Sequence, residues 1–357
     1  MALLWCDGWD HYGVVANLTE GAWAEISGGY QLSTVNPRTG THCIRLNANS
    51  TGASRMRRVL GAPKTTVGMG GAWYFDKLPS VNNSYTLYDF RDAANAIQVS
   101  IVLQSTGTIS AIRGAANGTI IGTSASPAIT AEAYQHVEVM VFFSQTVGTV
   151  EVRVNSVTVL SLTGADTVAS ALVECSQVAF PMGPNVTAAN PGVLGDLDDI
   201  FCYDDTGSFN NTFIGDRRVL TLFLDADTVQ ADWTPVGSGT GFGAIDEANP
   251  DGDTTYISAG IPDTNGVVSE FGMENLPAGV SAISGVVLVN MSRKTEAGIA
   301  NVQMSVISGA SETAGTDQPM TEIYTYRQDV FETDPASAAP FTPSEVDALL
   351  IKADRTA

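Results

Sequence analysis

The chain has 357 residues, 44% of them hydrophobic, and carries 17 Lys and Arg against 38 Asp and Glu for a net charge of −21. That length suits two domains and the apolar content suits a real core, whereas the acidity argues against duplex binding, which needs basic patches to displace counterions. No run of eighteen apolar residues is present to span a membrane as a helix. Neither nucleic acid nor membrane insertion is therefore expected. The acidity itself reads as solubility, or as surface hydration in a saline habitat.

The opening MALLWCDGWD lacks the basic start and long apolar stretch of a signal peptide, so export by that route is not expected. Cys6, Cys43, Cys175 and Cys202 form no CxxC pair and sit in apolar settings, where reduced buried thiols are the default. A Cys6–Cys202 pairing stays open if the first and last strands of the first domain are neighbours.

From the N-terminus, short strand-like runs follow one another. Residues 2–6 are apolar and precede the turn pair Asp7-Gly8; 23–26 and 43–46 come next. Residues 54–60 alternate with the basic Arg55, Arg57 and Arg58, and 66–75 is long, glycine-spaced and aromatic at its end. Over 85–90, Tyr85 and Leu87 alternate with Tyr88 and Phe90 less cleanly. Residues 97–103 put Ile97, Val99, Ile101 and Leu103 on one face, and 136–143 do the same with Val137, Val139, Val141 and Phe143. Ala116-Asn117-Gly118 and Asn155-Ser156 mark hairpins between flanking runs. The stretch GDLDDIFCYDDTGSFNN at 195–211 closes the series, with Ile200 and Cys202 expected on one face and Phe201 and Tyr203 on the other. About a dozen short strands with turns every 8–12 residues predict an antiparallel sandwich. One brief helix over 167–173 is the alternative to strand there.

The turn cluster Asp204-Asp205-Thr206-Gly207 sets the boundary, giving a first domain over 1–205, a linker over 206–214 and a second β-domain over 215–357. Strands are expected there at 218–224, 255–258, 269–274, 282–291, 299–308 and 321–331, the run 282–291 being apolar enough to be covered on both faces. Thr342-Pro343-Ser344-Glu345 fits a capping box with proline at the first helical position, and Val346, Leu349 and Leu350 follow at helical spacing. The spacing predicts a terminal helix over 344–352.

Chemistry is sparse. His11, His42 and His136 lie apart, and neither HExxH, GxSxG nor GxxxxGK[ST] occurs. The glycine run at 237–243 lacks the strand-to-helix setting of a phosphate loop. Two acidic clusters are candidate calcium sites, because hard cations take several loop oxygens. One is Asp196, Asp198, Asp199 and Asp204, with Asp205, Asp7 and Asp10 near; the other is Glu247, Asn249, Asp251, Gly252 and Asp253. A strand boundary and a solvated turn are the plain alternatives. A glycosidase needs two carboxylates about 5 to 10 Å apart. On a sandwich they come from an E-x-D-x-E strand; Asp196-Leu197-Asp198-Asp199 is the nearest approach and lacks both glutamates. No enzyme and no cofactor other than calcium is expected.

The ends WCDGWDHY and LDDIFCYDD resemble concanavalin-like, laminin-G-like jelly-roll domains over about residues 1–205. The ordered blocks TGSFNNTFIGDRRVLTLFLDAD, DWTP, IDEANPDGDTTYISA and DVFETDPASAAPFTPSEVDAL resemble the second half of tailed-bacteriophage virion proteins in which a jelly roll precedes a second β-domain. The resemblance implies an all-β chain, a concanavalin-like sandwich plus a second sandwich-like domain with a short C-terminal helix. It also implies a virion component assembled in the host bacterial cytoplasm, other virion proteins as partners, and a homo-oligomer such as a trimer. The leading function is a non-enzymatic structural protein on the particle surface, a tail appendage or capsid decoration anchored by the second domain. A carbohydrate-binding adhesin is the second reading and a polysaccharide hydrolase the third. Aromatics that could stack on a host glycan are Trp9, Tyr12, Trp73, Tyr74, Tyr85 and Tyr88, with core packing as the alternative for most of them.

Overall fold

The structure, a computed structural model, describes residues 2–20, 23–47, 55–81, 83–181, 194–259 and 266–356. The chain forms two compact units: 2–10 with 23–220, and 11–22 with 221–357. The sequence had placed a linker at 206–214. Instead, 206–220 stays with the sandwich, and a segment between its first two strands belongs to the other unit.

The sandwich unit contains β1 (Leu3–Asp7), β2 (Glu25–Ser27), β3 (Tyr30–Ser33), β4 (Cys43–Asn47), β5 (Arg55–Lys64), β6 (Thr66–Phe75), β7 (Ser84–Arg91) and β8 (Ile97–Gln104). It continues with β9 (Ile109–Arg113), β10 (Thr119–Thr123), β11 (Gln135–Phe142), β12 (Gly148–Val154), β13 (Val157–Ala165), β14 (Cys175–Phe180) and β15 (Leu194–Tyr203). These make two antiparallel sheets. One has eight strands in the order β13-β12-β11-β6-β15-β4-β3 with β1 on β15; the other has seven in the order β10-β9-β8-β7-β14-β5-β2. The fold is the expected jelly-roll type of β-sandwich.

The core is made by the alternation read from the sequence. Val137, Val139 and Val141 of β11 and Val99, Ile101 and Leu103 of β8 are buried between the sheets. Trp73 of β6 donates Nε1–H to the Tyr88 hydroxyl at 2.9 Å, and that hydroxyl donates to the Val137 carbonyl at 2.8 Å, a chain that ties one sheet to the other. Phe180 packs edge-on to both Tyr88 and Trp23. The untidy alternation at 85–90 has a physical cause: the β7–β8 register shifts between Thr86 and Tyr88, and a bulge lets Tyr85, Tyr88 and Phe90 all face the core. At the β12–β13 hairpin Asn155 and Ser156 have φ of 49° and 66°, the left-handed pair that a tight primed turn requires. The stretch 167–173, where a brief helix is the alternative reading, is irregular backbone. There the Thr167 hydroxyl donates to the Phe142 carbonyl at 2.9 Å, and the amides of Ala169 and Ser170 donate to Gln98 Oε1.

All four cysteines are free thiols. In the β1–β15 ladder Cys6 stands opposite Phe201, and Cys202 opposite Trp5, so the one-residue offset puts Cys6 and Cys202 on opposite faces and rules out the disulfide considered above.

The second unit holds β16 (Leu224–Ala231), β17 (Thr234–Val236), β18 (Tyr256–Ser258), β19 (Val267–Met273), β20 (Val286–Ser292), β21 (Asn301–Ser308), β22 (Ser311–Ala314), β23 (Gln318–Pro319), β24 (Thr325–Phe331) and β25 (Leu350–Arg355). Its main sheet runs β16-β19-β25-β21-β22, with β23 on β21; β20 pairs with β24 separately. Leu288 and Phe331 of that ribbon pack with Val306 and Ile351 of the sheet and with Phe341, Val346 and Leu349. Three expectations change here. Residues 218–223 are not a strand. The apolar run at 282–291 is mostly half-buried, with Leu288 its buried member. The terminal helix shrinks to one turn, α1 (Pro343–Val346). Its capping box is present, Thr342 and Glu345 bonding reciprocally. Beyond it the chain alternates, with Ile351, Ala353 and Arg355 buried, and β25 pairs on both sides. A nine-residue helix gains little by itself, and two complete ladders outweigh it.

Segment 11–22 completes this unit. Tyr12 and Leu18 are buried, the Tyr12 ring lies 5.1 Å from that of Tyr326, and the Tyr326 amide donates to the Glu20 carbonyl at 2.6 Å.

Candidate functional site

The outward face of the seven-stranded sheet carries charge in register. Because Tyr88 and Phe90 of β7 point into the core, Asp89 and Arg91 point out. Next to β7 lies β14, which places Ala179 opposite Asp89 and Gln177 opposite Arg91; beyond it β5 places Arg57 opposite Ala179. At the edge β2 sets Glu25 opposite Arg57 and Ser27 opposite Arg55. The residues interlock. Asp89 accepts from Arg91 Nη2 at 2.7 Å and from the Ser100 hydroxyl at 2.6 Å. Arg91 Nη1 donates to the Asn95 carbonyl at 3.2 Å, and Arg57 Nη1 donates to Gln177 Oε1. Glu25 receives Arg55 Nη2 at 2.7 Å and Arg57 Nε at 3.0 Å.

Burial raises the Asp89 carboxyl above its ordinary range, only partly offset by Arg91 and the Ser100 hydrogen bond, with Arg55 near enough to contribute. At Glu25 burial also acts upward, but the two arginines outweigh it and hold the carboxyl low. The centre of this face is buried and its rim half-exposed: Asp89 is 2% and Arg91 6% exposed, while Arg55, Arg57 and Glu25 are intermediate. Arg91 Nε is a buried donor with no partner among the described residues.

The outward face of the eight-stranded sheet is built differently. Gly68 and Gly70 of β6 leave room for rings from β15: a Cβ there would come within 2.1 Å of Tyr203 and 2.2 Å of Phe201. Residues 206–220 cross this face as a strap. The amides of Ile214 and Gly215 donate to the two oxygens of Glu138 at 2.7 and 3.0 Å, the Arg153 guanidinium lies 3.7 Å over the Phe213 ring, and the Val219 amide donates to Asp199 at 2.9 Å. Glu138 is buried, which raises its pKa against the pull of those two amides. His136 stacks on Phe201 with ring centroids 5.7 Å apart. Neither of its ring nitrogens meets a hydrogen-bonding partner among the described residues. Burial pushes its pKa down to about 4, with Asp216 pulling upward and Arg38 downward.

The four aspartates proposed for calcium are each taken up by protein donors, Asp198 and Asp199 sharing Arg38 and Thr39. Asp196 is held by Arg45 at 2.7 and 2.8 Å, and Asp204 by Lys64 at 2.6 Å and by Thr206. Asp198 accepts the amides of Arg38, Thr39 and Asp199; burial and the Asp199 charge nonetheless push its pKa up to about 8. Asp199 accepts from Arg38 Nη1 and the Thr39 hydroxyl. It sits at φ 51° in a break of register between Asp198 and Phe201. In the second acidic loop Asp251 caps Thr255, and Asp253 meets Arg293 and the Tyr324 hydroxyl. Among the described residues no group of three or more His, Cys, Asp or Glu is arranged to hold a metal ion. Sequence alone shows the acids but not the Arg45, Lys64 and backbone amides that fold onto them.

The aromatic candidates also change. Trp9, Tyr12, Trp73, Tyr85 and Tyr88 are buried core residues and offer no ring to solvent. Tyr74 alone is half-exposed, on the outward face of β6, 5.5 Å from the Tyr134 ring.

No protein-family model matches the chain, and no curated protein matches it in sequence. Among solved structures it is similar in part to a sialidase (11% identity, TM-score 0.38), over 56% of this chain and 18% of the sialidase. It is also similar to the alginate lyase Aly36B (14%, TM-score 0.41; 56% of this chain and 96% of that one). A third is a Bacillus subtilis protein of unknown function with a galectin-like fold (10%, TM-score 0.37; 57% and 96%). A shared sandwich does not carry a shared function; the chemistry of this chain has to come from its own faces.

Of those faces, the arginine row was half-visible in sequence. The alternation at 54–60 marks Arg55 and Arg57 as one side of a strand. It carries no sign that Arg91 and Asp89, from a strand after the next in sequence, come to lie on the same surface.

Proposed function

We propose that this chain is a non-enzymatic structural protein of a bacteriophage virion, exposed on the particle surface, whose sandwich unit contacts a host-surface glycan. The observation that carries the glycan contact is the outward face of the seven-stranded sheet, where Glu25, Arg55 and Arg57 form a half-exposed polar rim at strand spacing beside the buried polar groups of Gln177, Asp89, Arg91 and Ser100. A saccharide is recognised by such an array of fixed donors and acceptors. The virion assignment is supported by the four ordered sequence blocks. In this reading the second unit is the assembly module, which meets other virion proteins or further copies of this chain, as in a trimer. The exposed apolar side chains Ile299 and Ile323 of that unit support this role. Assembly takes place in the host cytoplasm.

Mass spectrometry and immunogold labelling of purified particles test the location: the chain should be present and accessible on intact virions, and absence from them overturns the virion reading. A glycan array probed with the full chain tests contact. Incubation of host capsule with the chain, followed by a reducing-end assay, tests the absence of hydrolysis.

A further inference from the structure

We propose that the outward face of the seven-stranded sheet binds a saccharide bearing carboxylate groups, seated by Arg55, Arg57 and Arg91. This rests on the glycan reading above and gives that site its ligand chemistry.

Position comes first. Neighbouring strands lie about 4.8 Å apart, so Arg57 and the Asp89–Arg91 pair stand about 10 Å apart across β14. Arg55 and Arg57 share a face at positions i and i+2. Between Arg57 and Asp89 lies Ala179, whose short side chain is fully buried beneath its longer neighbours. Donors come second. Each of the three guanidiniums is held by part of its fork only. Glu25 takes Nε and Nη2 of Arg55 and Nε of Arg57; Gln177 takes Arg57 Nη1; Asp89 and Asn95 take Arg91 Nη2 and Nη1. Arg55 Nη1, Arg57 Nη2 and Arg91 Nε donate to no protein group among the described residues, and Arg91 Nε is fully buried. The free N–H groups of the half-exposed Arg55 and Arg57 are open to a ligand oxygen, and the buried, unpaired Arg91 Nε carries a cost in the free chain.

Charge comes third. Three arginines stand here among the carboxylates of Glu25, Asp89 and Asp92, so positive groups are concentrated on this face of a chain of net −21. The planar guanidinium fork matches a carboxylate in geometry as well as sign. The field of the whole chain repels a long polyanion, whereas a short saccharide with one or a few carboxylates meets little of that repulsion. Because Glu25 and Asp89 already fix the arginine side chains, little conformational freedom is lost on binding.

The test is calorimetric titration of the full chain with oligogalacturonate and with sialyllactose, each beside its neutral counterpart, fully methyl-esterified oligogalacturonate and lactose. Two variants probe the site. The double substitution Arg55→Gln with Arg57→Gln lies on the half-exposed rim. Arg91→Lys keeps a positive charge beside Asp89 but removes Nε and the fork. Circular dichroism verifies that both are folded. The expected result is binding of an acidic probe over its neutral counterpart, a loss of about tenfold or more in each variant, and weakening as ionic strength rises. Binding of neutral and acidic probes alike overturns the carboxylate assignment and leaves glycan contact standing. Binding of no saccharide overturns both. Acidic binding that survives in both variants moves the ligand elsewhere and overturns this site.

Discussion

His136 and Asp198 sit near the same strap and pull the pH dependence of stability in opposite directions. The folded chain binds a proton at His136 more weakly than the unfolded chain, its pKa being about 4 against an ordinary 6.5. Stability from this residue is therefore present above about 6.5 and lost as the pH falls toward 4. Asp198 is the reverse. Its pKa is raised to about 8, so its contribution is present at low pH and lost as the pH rises from the ordinary carboxylate range through 8. Urea denaturation across this range should show an acid limb that flattens in His136→Phe and an alkaline limb that flattens in Asp198→Asn; unchanged slopes would contradict both assignments. Gly70 offers a sharper test. A methyl there lands 2.2 Å from the Phe201 ring, and that ring is boxed in by His136. Gly70→Ala should cost about 1–3 kcal/mol by overpacking, read as a shift in the denaturation midpoint at unchanged slope. Neither residue stands out in sequence: glycine spacing along β6 was visible, but the rings that require it come from a strand over a hundred residues later.

At the scale of elements, the strap and the terminal turn show how tertiary partners redirect a locally legible chain. Residues 206–214 are polar and turn-rich, the signature of a linker. They are held on the sheet because Glu138, from the middle of β11, offers both oxygens to two strap amides. Glu138→Ala leaves those amides without their acceptor, at about 1–3 kcal/mol for each. Trypsin should then cut after Arg217 or Arg218 faster than in the native chain while the sandwich core stays intact; equal cleavage rates would show that the strap does not depend on Glu138. The C-terminal stretch is parallel. The capping box and the burial of Val346 and Leu349 follow the helical reading, yet the ladders to β19 and β21 claim everything from Leu350 onward.

For the molecule as a whole, the division into units changes which fragments should fold. A fragment ending at 205 lacks the strap and bares Phe201, Tyr203, His136 and Glu138, all buried in the intact chain. A fragment ending at 220 keeps that cover. The longer one should unfold at the higher temperature in calorimetry. The isolated 221–357 piece lacks Tyr12, Leu18 and the Glu20–Tyr326 hydrogen bond, so its amide spectrum should be poorly dispersed and sharpen when a peptide spanning 11–22 is added. A well-dispersed spectrum without the peptide would make the segment dispensable. In the proposed virion role, loss of 221–357 should also abolish incorporation into particles.

Alternation of side chains with a period of two, turn residues between runs and the inward faces of β8 and β11 depend on near neighbours in the chain, and the sequence by itself determined them. It thereby determined the all-β class, the sandwich and both hairpins. What only the tertiary structure decided are the relations between distant residues. The acidic stretch at 196–204 is paired with Arg45, Lys64, Arg38 and backbone amides drawn from distant parts of the chain. Trp9, Tyr12, Trp73, Tyr85 and Tyr88 are core rather than binding platform, and only Tyr74 of the six candidates is half-exposed. Arg55, Arg57 and Arg91 share a surface because β14, read almost ninety residues after Arg91 in the chain, lies between their strands. Pairing order across a sheet is set by burial and hydrogen bonding summed over the whole chain, and no local pattern of residues encodes it.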